Sequence, residues 1–328
     1  MEDQDGAELC FPQLLNASCR KPKISQYDVV FMYLLFILSG FCVVLNLLII
    51  ISVSHFRQLH TPTNLIILSL AVSDFLAGLV VTPVEFHRQI TCWFFSDLMC
   101  SLYCFAGSFI ITISIGTMVL ISVDRYVAIC DPLHYPTRVT VRRVKLCVYV
   151  WWACCLLYNI LTYREDLAKP GRFKACTGQC LIFIDYIGVT VDTVLSFVLP
   201  ITVIIFLYLR VFLTAVSQAR AMRSHVAAVT LQHSGTVITK KSELKAARTL
   251  GMVVFVFLMC YCPFYCLCLL QNVSINDFVI ALTIFLLSIN SCLNPVIYAL
   301  FYPWFRKSIR LIFSLQILQT GSSETNML

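Results

Sequence analysis

The sequence predicts an all-α membrane protein: a seven-transmembrane helix bundle with a short amphipathic membrane-surface helix after span seven. Three observations carry this reading. The 328 residues are 59% hydrophobic and 12% charged, with a mean hydropathy of +0.84, whereas a soluble domain carries about 25% charged residues. So few charges do not cover a water-facing surface, which argues against a soluble enzyme or binding module. Seven apolar windows, at about 30–54, 64–86, 98–123, 146–163, 182–209, 247–271 and 277–301, are long enough to cross hydrocarbon as helices. Finally, "WFRKSIRLIFSLQIL" sets Trp304, Phe305, Ile309, Ile312 and Phe313 at helical spacing, with Arg306, Lys307 and Arg310 among them. That is the pattern of a helix lying on an anionic inner leaflet, so membrane lipid is a partner.

The chain divides accordingly into a polar tail (1–29), the bundle (30–301), the amphipathic helix (302–318) and a C-terminal stretch (319–328) expected to be disordered. The first residues are polar and acidic, without the apolar core of a signal peptide, so span one is expected to start insertion. No repeat relates the two halves, which argues against a duplicated transporter. With the N-terminus outside, most of the 24 Lys and Arg fall on the cytoplasmic side: Arg138 to Lys145, Arg220 to Arg248, and Arg306 to Arg310. The positive-inside rule favours that orientation. The sequon at Asn16 then lies outside and is open to glycosylation, while the one at Asn272 is too close to a span. The 17 cysteines are scattered, mostly inside apolar runs, with no zinc-type spacing.

Polar residues inside hydrocarbon point to function. Asn46, Asp74, Asn290, Ser291 and Asn294 fall mid-span in helices one, two and seven and are expected to form one cluster. Two readings of Asp74 stand, a protonated structural acid or the ligand of a sodium ion with waters; no other cofactor is expected. At the cytoplasmic end of span three, Asp124, Arg125 and Tyr126 are followed far along the chain by Glu243 at the base of span six. Arg125 with Glu243 makes a candidate latch between packing states. Pro200, Pro263 and Pro295 each mark a kink or hinge in spans five, six and seven.

Asp192 stands alone in "YIGVTVDTVLSFVLP". No Lys, Arg or His lies near mid-depth in any span, so an ionised Asp192 lacks an internal cation. The reading taken is that it anchors a cationic ligand. Asp185, seven residues earlier, and Ser196, four residues later, share its helical stripe. Glu85, at the outer end of span two, is expected to add negative potential at the mouth. Tyr261, Phe264 and Tyr265 supply ring faces for an ammonium. Ile111 lies one turn below Gly107 on span three and offers an apolar wall. Ordinary core packing is the competing reading for these four apolar and aromatic side chains.

The motifs also resemble a family. Asn46, "LSLAVSD" ending at Asp74, Cys100, "DRY" at 124–126, Trp152, Pro200, Tyr208, "FVFLMCYCP" ending at Pro263 and "NPVIY" at 294–298 follow the order of rhodopsin-like (class A) G-protein-coupled receptors. More narrowly, "NSCLNPVIYALFYPWF" at 290–305 is similar to the span-seven signature of trace amine-associated receptors. The resemblance implies disulfides Cys100–Cys180 and Cys19–Cys176, with Cys10 left open as a rival to Cys19. It also implies an activation path in which span six swings at Pro263 through Ile115, Pro200 and Phe257 while Tyr208 and Tyr298 rearrange. Two departures stand out. The aspartate that amine receptors carry in span three is replaced by Gly107, and the tryptophan before Pro263 by Tyr261. A branch of the subfamily resembles this arrangement, with the acid in span five.

What the resemblance implies is a plasma-membrane receptor for small volatile or biogenic amines, of the olfactory type. It would couple to a stimulatory or olfactory heterotrimeric G protein, raise cAMP, and meet arrestin and a receptor kinase, in olfactory cilia. No nucleic-acid partner and no enzymatic activity are expected. The rivals are a receptor of the same fold for a non-amine ligand, fed by the loss of the span-three acid, and, more remotely, a transporter.

Overall fold

The computed structural model describes residues 8–14, 17–22, 26–172, 176–180, 186–226, 234–269 and 277–327. Among them, seven helices are long and apolar enough to cross a membrane. They are α1 (Gln26–His55), α2 (Pro62–Ile90), α3 (Asp97–Cys130), α4 (Val141–Ala168), α5 (Tyr186–Thr214), α6 (Ser234–Leu269) and α7 (Asp277–Phe301). A shorter α8 (Pro303–Phe313) follows. In α6, side chains are described from Gly251 onward.

Helix starts follow local chemistry. Thr61, Ser96 and Thr140 cap α2, α3 and α4 by accepting from the backbone N–H of Asn64, Met99 and Arg143, and Pro62 occupies the first turn of α2. Two helices carry a wide turn just before a proline: Ala77–Val81 ahead of Pro83, and Val194–Val198 ahead of Pro200. A proline ring clashes with the carbonyl four residues back, and a wide turn relieves that clash without ending the helix. Carbonyls around the first turn find other donors. Ser39 Oγ donates to Gly78 O at 2.5 Å, and Thr82 Oγ1 donates to Ala77 O at 3.2 Å.

Helix α3 runs through the centre and touches α2, α4, α5 and α6, while α1 meets both α2 and α7 and closes the ring. Ile49, Ile67, Leu70, Ile115, Met118, Phe257 and Tyr298 are fully buried between the helices. Tyr33, Phe41, Ile187, Phe212 and Phe255 point outward and are exposed, as side chains facing lipid must be. The α3–α4 contact depends on Gly116. A Cβ there would lie 1.9 Å from the indole ring of Trp151. The neighbouring Trp152 crosses instead to α2, donating from Nε1 to Ser69 Oγ at 3.0 Å.

On the N-terminal side, three disulfides join the tail and two loops: Cys10–Cys92, Cys19–Cys176 and Cys100–Cys180. Cys10, left open in the sequence as a partner for Cys176, is bonded to Cys92 in the loop after α2, a pairing not anticipated. The tail doubles back on itself, with Cys10 N–H donating to Cys19 O at 2.8 Å and Cys19 N–H to Thr177 O at 2.9 Å. Gly178 lies beneath it at φ +107°, where a Cβ would sit 2.8 Å from Cys10 Cβ. Asn16 and Asn272 lie outside the described residues.

At the other end, α8 docks through Trp304 and Phe305, both buried, and through Ser308, which is paired with Ser52 of α1 at 2.8 Å. The stretch after it corrects the expectation of disorder. Residues 319–327 turn back over the loop after α1: Arg57 pairs with Glu324 at 2.6 Å, His55 with Ser322 at 2.9 Å, and Met327 is 2% exposed. The polar tail is ordered because that loop supplies partners for it, which no local period in the tail reveals.

Gly116→Val is expected to destabilise the bundle by about 1–3 kcal/mol through overpacking against Trp151. The check is a lower melting temperature of the purified protein in detergent. Trp151→Ala in the same background should restore part of the loss.

Candidate ligand-binding site

Asp192 stands on α5, half-buried, just ahead of the wide turn Val194–Val198. Tyr158 of α4 donates its phenol hydrogen to Asp192 Oδ1 at 2.5 Å. Ser196 donates to the same oxygen at 3.0 Å and lies 3.4 Å from the Tyr158 oxygen. Among the described residues, Oδ2 accepts no hydrogen bond, and no Lys, Arg or His pairs with the carboxylate. The site is therefore a carboxylate with one oxygen held by neutral donors and the other free. Tyr158 was missed in the sequence, where only cations were weighed as partners for Asp192.

An aromatic wall stands beside it. Tyr265 of α6 is buried and stacks on Phe197 of α5, with centroids 4.2 Å apart and planes 12° from parallel. Phe264 meets the edge of Tyr265 at 5.2 Å. The helical segment that carries Asp192, Tyr186–Thr193, packs against α6. Tyr261 is buried and stacks on Phe257 at 4.3 Å. Ile111 is half-buried against the same core. Among the described residues, a Cβ at Gly107 would meet only Val81, at 3.9 Å, an ordinary contact that leaves the span-three position uncrowded.

Glu85 requires a correction. It is held by Arg88 through Nε at 2.8 Å and Nη2 at 2.6 Å, by Gln89 at 2.6 Å, and by the Tyr103 hydroxyl. The guanidinium three residues on neutralises it, so it adds no net negative potential to the mouth. Asp185 lies outside the described residues.

Deeper in the bundle, Asp74 is fully buried and accepts from Asn294 Nδ2 at 2.8 Å. Asn46 Nδ2 donates to Ser291 O at 2.9 Å, tying α1 to α7. Ser114 of α3, not singled out in the sequence, donates to Ser73 at 3.1 Å beside Asp74. Among the described residues, five buried atoms here have no hydrogen-bond partner: Asp74 Oδ1, Asn46 Oδ1, Asn294 Oδ1 and both amide atoms of Asn290.

At the cytoplasmic end, Arg125 is buried and bonds Asp124 at 2.5 and 3.0 Å and Thr63 at 2.7 Å. Tyr135, in the loop after α3, donates to Asp124 Oδ1 at 2.8 Å. Burial, then the Asp124 charge, pushes that phenol up to about 12, so it remains a donor at neutral pH. The hydroxyls of Tyr208, Tyr298 and Tyr302 are buried without partners among the described residues, and Tyr126 packs on Ile129 and Val211. Ile115 and Phe257 share the central core, and Pro200 is buried on α5. Pro263 lies inside α6. The side chain of Glu243 lies outside the described residues.

Comparison with known proteins places this geometry. The profile of the seven-transmembrane receptors of the rhodopsin family matches residues 45–298, and the protein is a membrane receptor of that class rather than an enzyme. Its relatives are narrower. It is 35% identical to trace amine-associated receptor 13c of Danio rerio, over 99% of this chain and 98% of the relative. It is 35% identical to trace amine-associated receptor 4 of Mus musculus, over 98% and 95%. It is 36% identical to receptor 8a of Rattus norvegicus, over 98% and 96%. The chain belongs to the trace amine-associated receptors, multi-pass proteins of the plasma membrane.

Glu85→Gln is expected to cost about 2–4 kcal/mol of stability by leaving the Arg88 charge half-buried and unpaired. Thermal denaturation in detergent reads this. The double variant Glu85→Gln/Arg88→Met should recover most of the loss.

Proposed function

We propose that the protein is a receptor for small amines whose ammonium group is held by Asp192. The observation that carries this is the free Oδ2 of a half-buried carboxylate for which no cation is present among the described residues. A charge at such depth is retained for a partner, and an ammonium beside the Phe197–Tyr265 wall satisfies both its charge and its apolar body. The names of the relatives point the same way. Among the described residues only Val81 approaches the Gly107 position, which leaves room for the body of the ligand where amine receptors otherwise place their acid.

Binding must favour one bundle packing over another to signal, since only differential affinity shifts an equilibrium. In this reading the shift travels to the buried Arg125 and to the unpartnered Tyr208 and Tyr298, α6 hinges at Pro263, and a stimulatory or olfactory-type G protein docks and raises cAMP. The N-terminus faces outward: disulfides need an oxidising compartment, and the basic loops lie on the opposite side. Olfactory detection of amines is the physiological role this reading assigns.

Asp192→Ala and Asp192→Asn are both expected to lower amine potency in a cAMP assay by about 30-fold or more at unchanged surface level, the loss that follows when one partner of a desolvated charge pair is removed. Full potency in both variants would return the non-amine ligand as the better reading.

The cluster around Asp74 fits a sodium ion. Its unpartnered atoms include four oxygens, of Asp74, Asn46, Asn290 and Asn294, the donors a hard cation takes. Sodium held there would favour the packing with the cluster closed and oppose agonist binding through linkage. Raising sodium at constant ionic strength is expected to weaken agonist affinity about five-fold or more in the wild type and to leave Asp74→Asn unmoved. Equal sodium sensitivity in both would assign Asp74 to structure alone.

A further inference from the structure

The carboxylate of Asp192 is occupied asymmetrically. A carboxylate offers about four lone-pair positions, two on each oxygen. Both on Oδ1 are taken, by Tyr158 at 2.5 Å and Ser196 at 3.0 Å, and among the described residues Oδ2 has none filled. Tyr158 has spent its only hydrogen on Asp192. Ser196, 7% exposed, likewise has its hydrogen directed at Oδ1 and the Tyr158 oxygen. Beyond this polar corner the wall is the stacked Phe197–Tyr265 pair.

The number of N–H groups on a ligand then matters. One nitrogen approaching Oδ2 makes one short, charge-assisted hydrogen bond. A tertiary ammonium has one N–H and is satisfied by it. A secondary ammonium keeps one further N–H, and a primary ammonium two, that face an occupied oxygen and aromatic rings. A polar hydrogen desolvated without an acceptor costs about 1–3 kcal/mol. Methyl groups in the same places lie against ring faces, which attract the positive charge spread over them.

We propose that Tyr158, supported by Ser196, is a specificity-determining residue: by filling one oxygen of Asp192 it leaves a single acceptor to the ligand and selects N-methylated amines over primary ones. This rests on the reading of Asp192 as the amine anchor. Tyr158 acts through Asp192, as a positioning residue, and the selectivity belongs to the number of carboxylate oxygens left open rather than to the size of the pocket.

The test uses the full-length receptor and three probes that share one body: phenethylamine, N-methylphenethylamine and N,N-dimethylphenethylamine, all ammonium ions at neutral pH. Potency is read in a cAMP assay with surface level measured through an epitope tag. In the wild type the dimethyl compound is expected to exceed the primary amine by about tenfold, the factor that one hydrogen bond of about 1.4 kcal/mol carries. Tyr158→Phe removes only the hydroxyl and frees a position on Oδ1, so the ratio should fall to about threefold or less, the primary amine gaining relative to the tertiary. Ser196→Ala should shift the ratio in the same direction, and it carries the test if Tyr158→Phe does not reach the surface. A wild-type preference for the primary amine overturns the proposal. So does a ratio unchanged in both hydroxyl variants, including the case where all three potencies fall together. Asp192→Asn separates the two levels: if it keeps wild-type potency for all three probes, the anchor itself is wrong, whereas loss of all responses with an unmoved ratio in Tyr158→Phe removes only the selectivity.

Discussion

Hydrocarbon offers no hydrogen bonds, and the bundle is organised by that constraint. Each polar group carried into the membrane must be answered by another part of the chain. Many hydroxyls are answered within their own helix, as Thr117 is by the carbonyl of Ile113, and other polar groups across helices: Ser39 on the carbonyl of Gly78, Trp152 on Ser69, Asn46 on the carbonyl of Ser291, Asn294 on Asp74. These bonds fix which face of each helix looks inward, a task that apolar packing alone performs poorly when the solvent is as apolar as the side chains. The groups left unanswered then stand out. Among the described residues they fall at the free oxygen of Asp192, around Asp74, at the three tyrosines near Arg125, and at the amide oxygen of Asn159 on α4.

Those places are joined by packing. From the Phe197–Tyr265 stack the contact runs to Phe264 and, through the same core, to Tyr261 on Phe257 and on to Ile115 and Tyr298. Contact of this kind supplies continuity; coupling needs in addition an element with two arrangements that both ends bias. The interruptions of the helices are where such freedom is built in. Pro263 and Pro295 break the ladders of α6 and α7, and the wide turn before Pro200 sits between Asp192 and the cytoplasmic half of α5. Rigid corners surround these flexible points: Gly116 clasping Trp151, and Ser308 pinning α8 to α1.

Much of this was legible in the residues. Hydrocarbon thickness sets the length of a span, so the seven windows follow from counting apolar residues. A step of four residues places Ser196 under Asp192, and the structure has them bonded. Tyr158 was not legible, because the rotation of α4 about its own axis is set by Trp151 against a glycine of another helix, a contact between residues far apart in sequence. Glu85 is the opposite case. Arg88 lies three residues on, a spacing that pairs charges on a helix, so this pair was legible in the sequence. The order of the last residues depends on Arg57, His55 and Gln58 in a distant loop, which a local reading of a polar tail does not reach. The Cys10–Cys92 pairing likewise has no signature in spacing.

The bonded tail also bears on how the molecule is made. Cys10 and Cys19 precede all seven helices, and their partners lie 82 and 157 positions later. The first bond waits for the loop after α2 and the second for the loop after α4, each emerging on the tail's side of the membrane. Cys10 therefore waits while two helices insert and Cys19 while four do, and closure of both bonds records that these helices inserted the right way round. A chain with one span inverted would keep reduced cysteines on its tail, a chemical mark of misassembly exposed before the ligand site has ever been used.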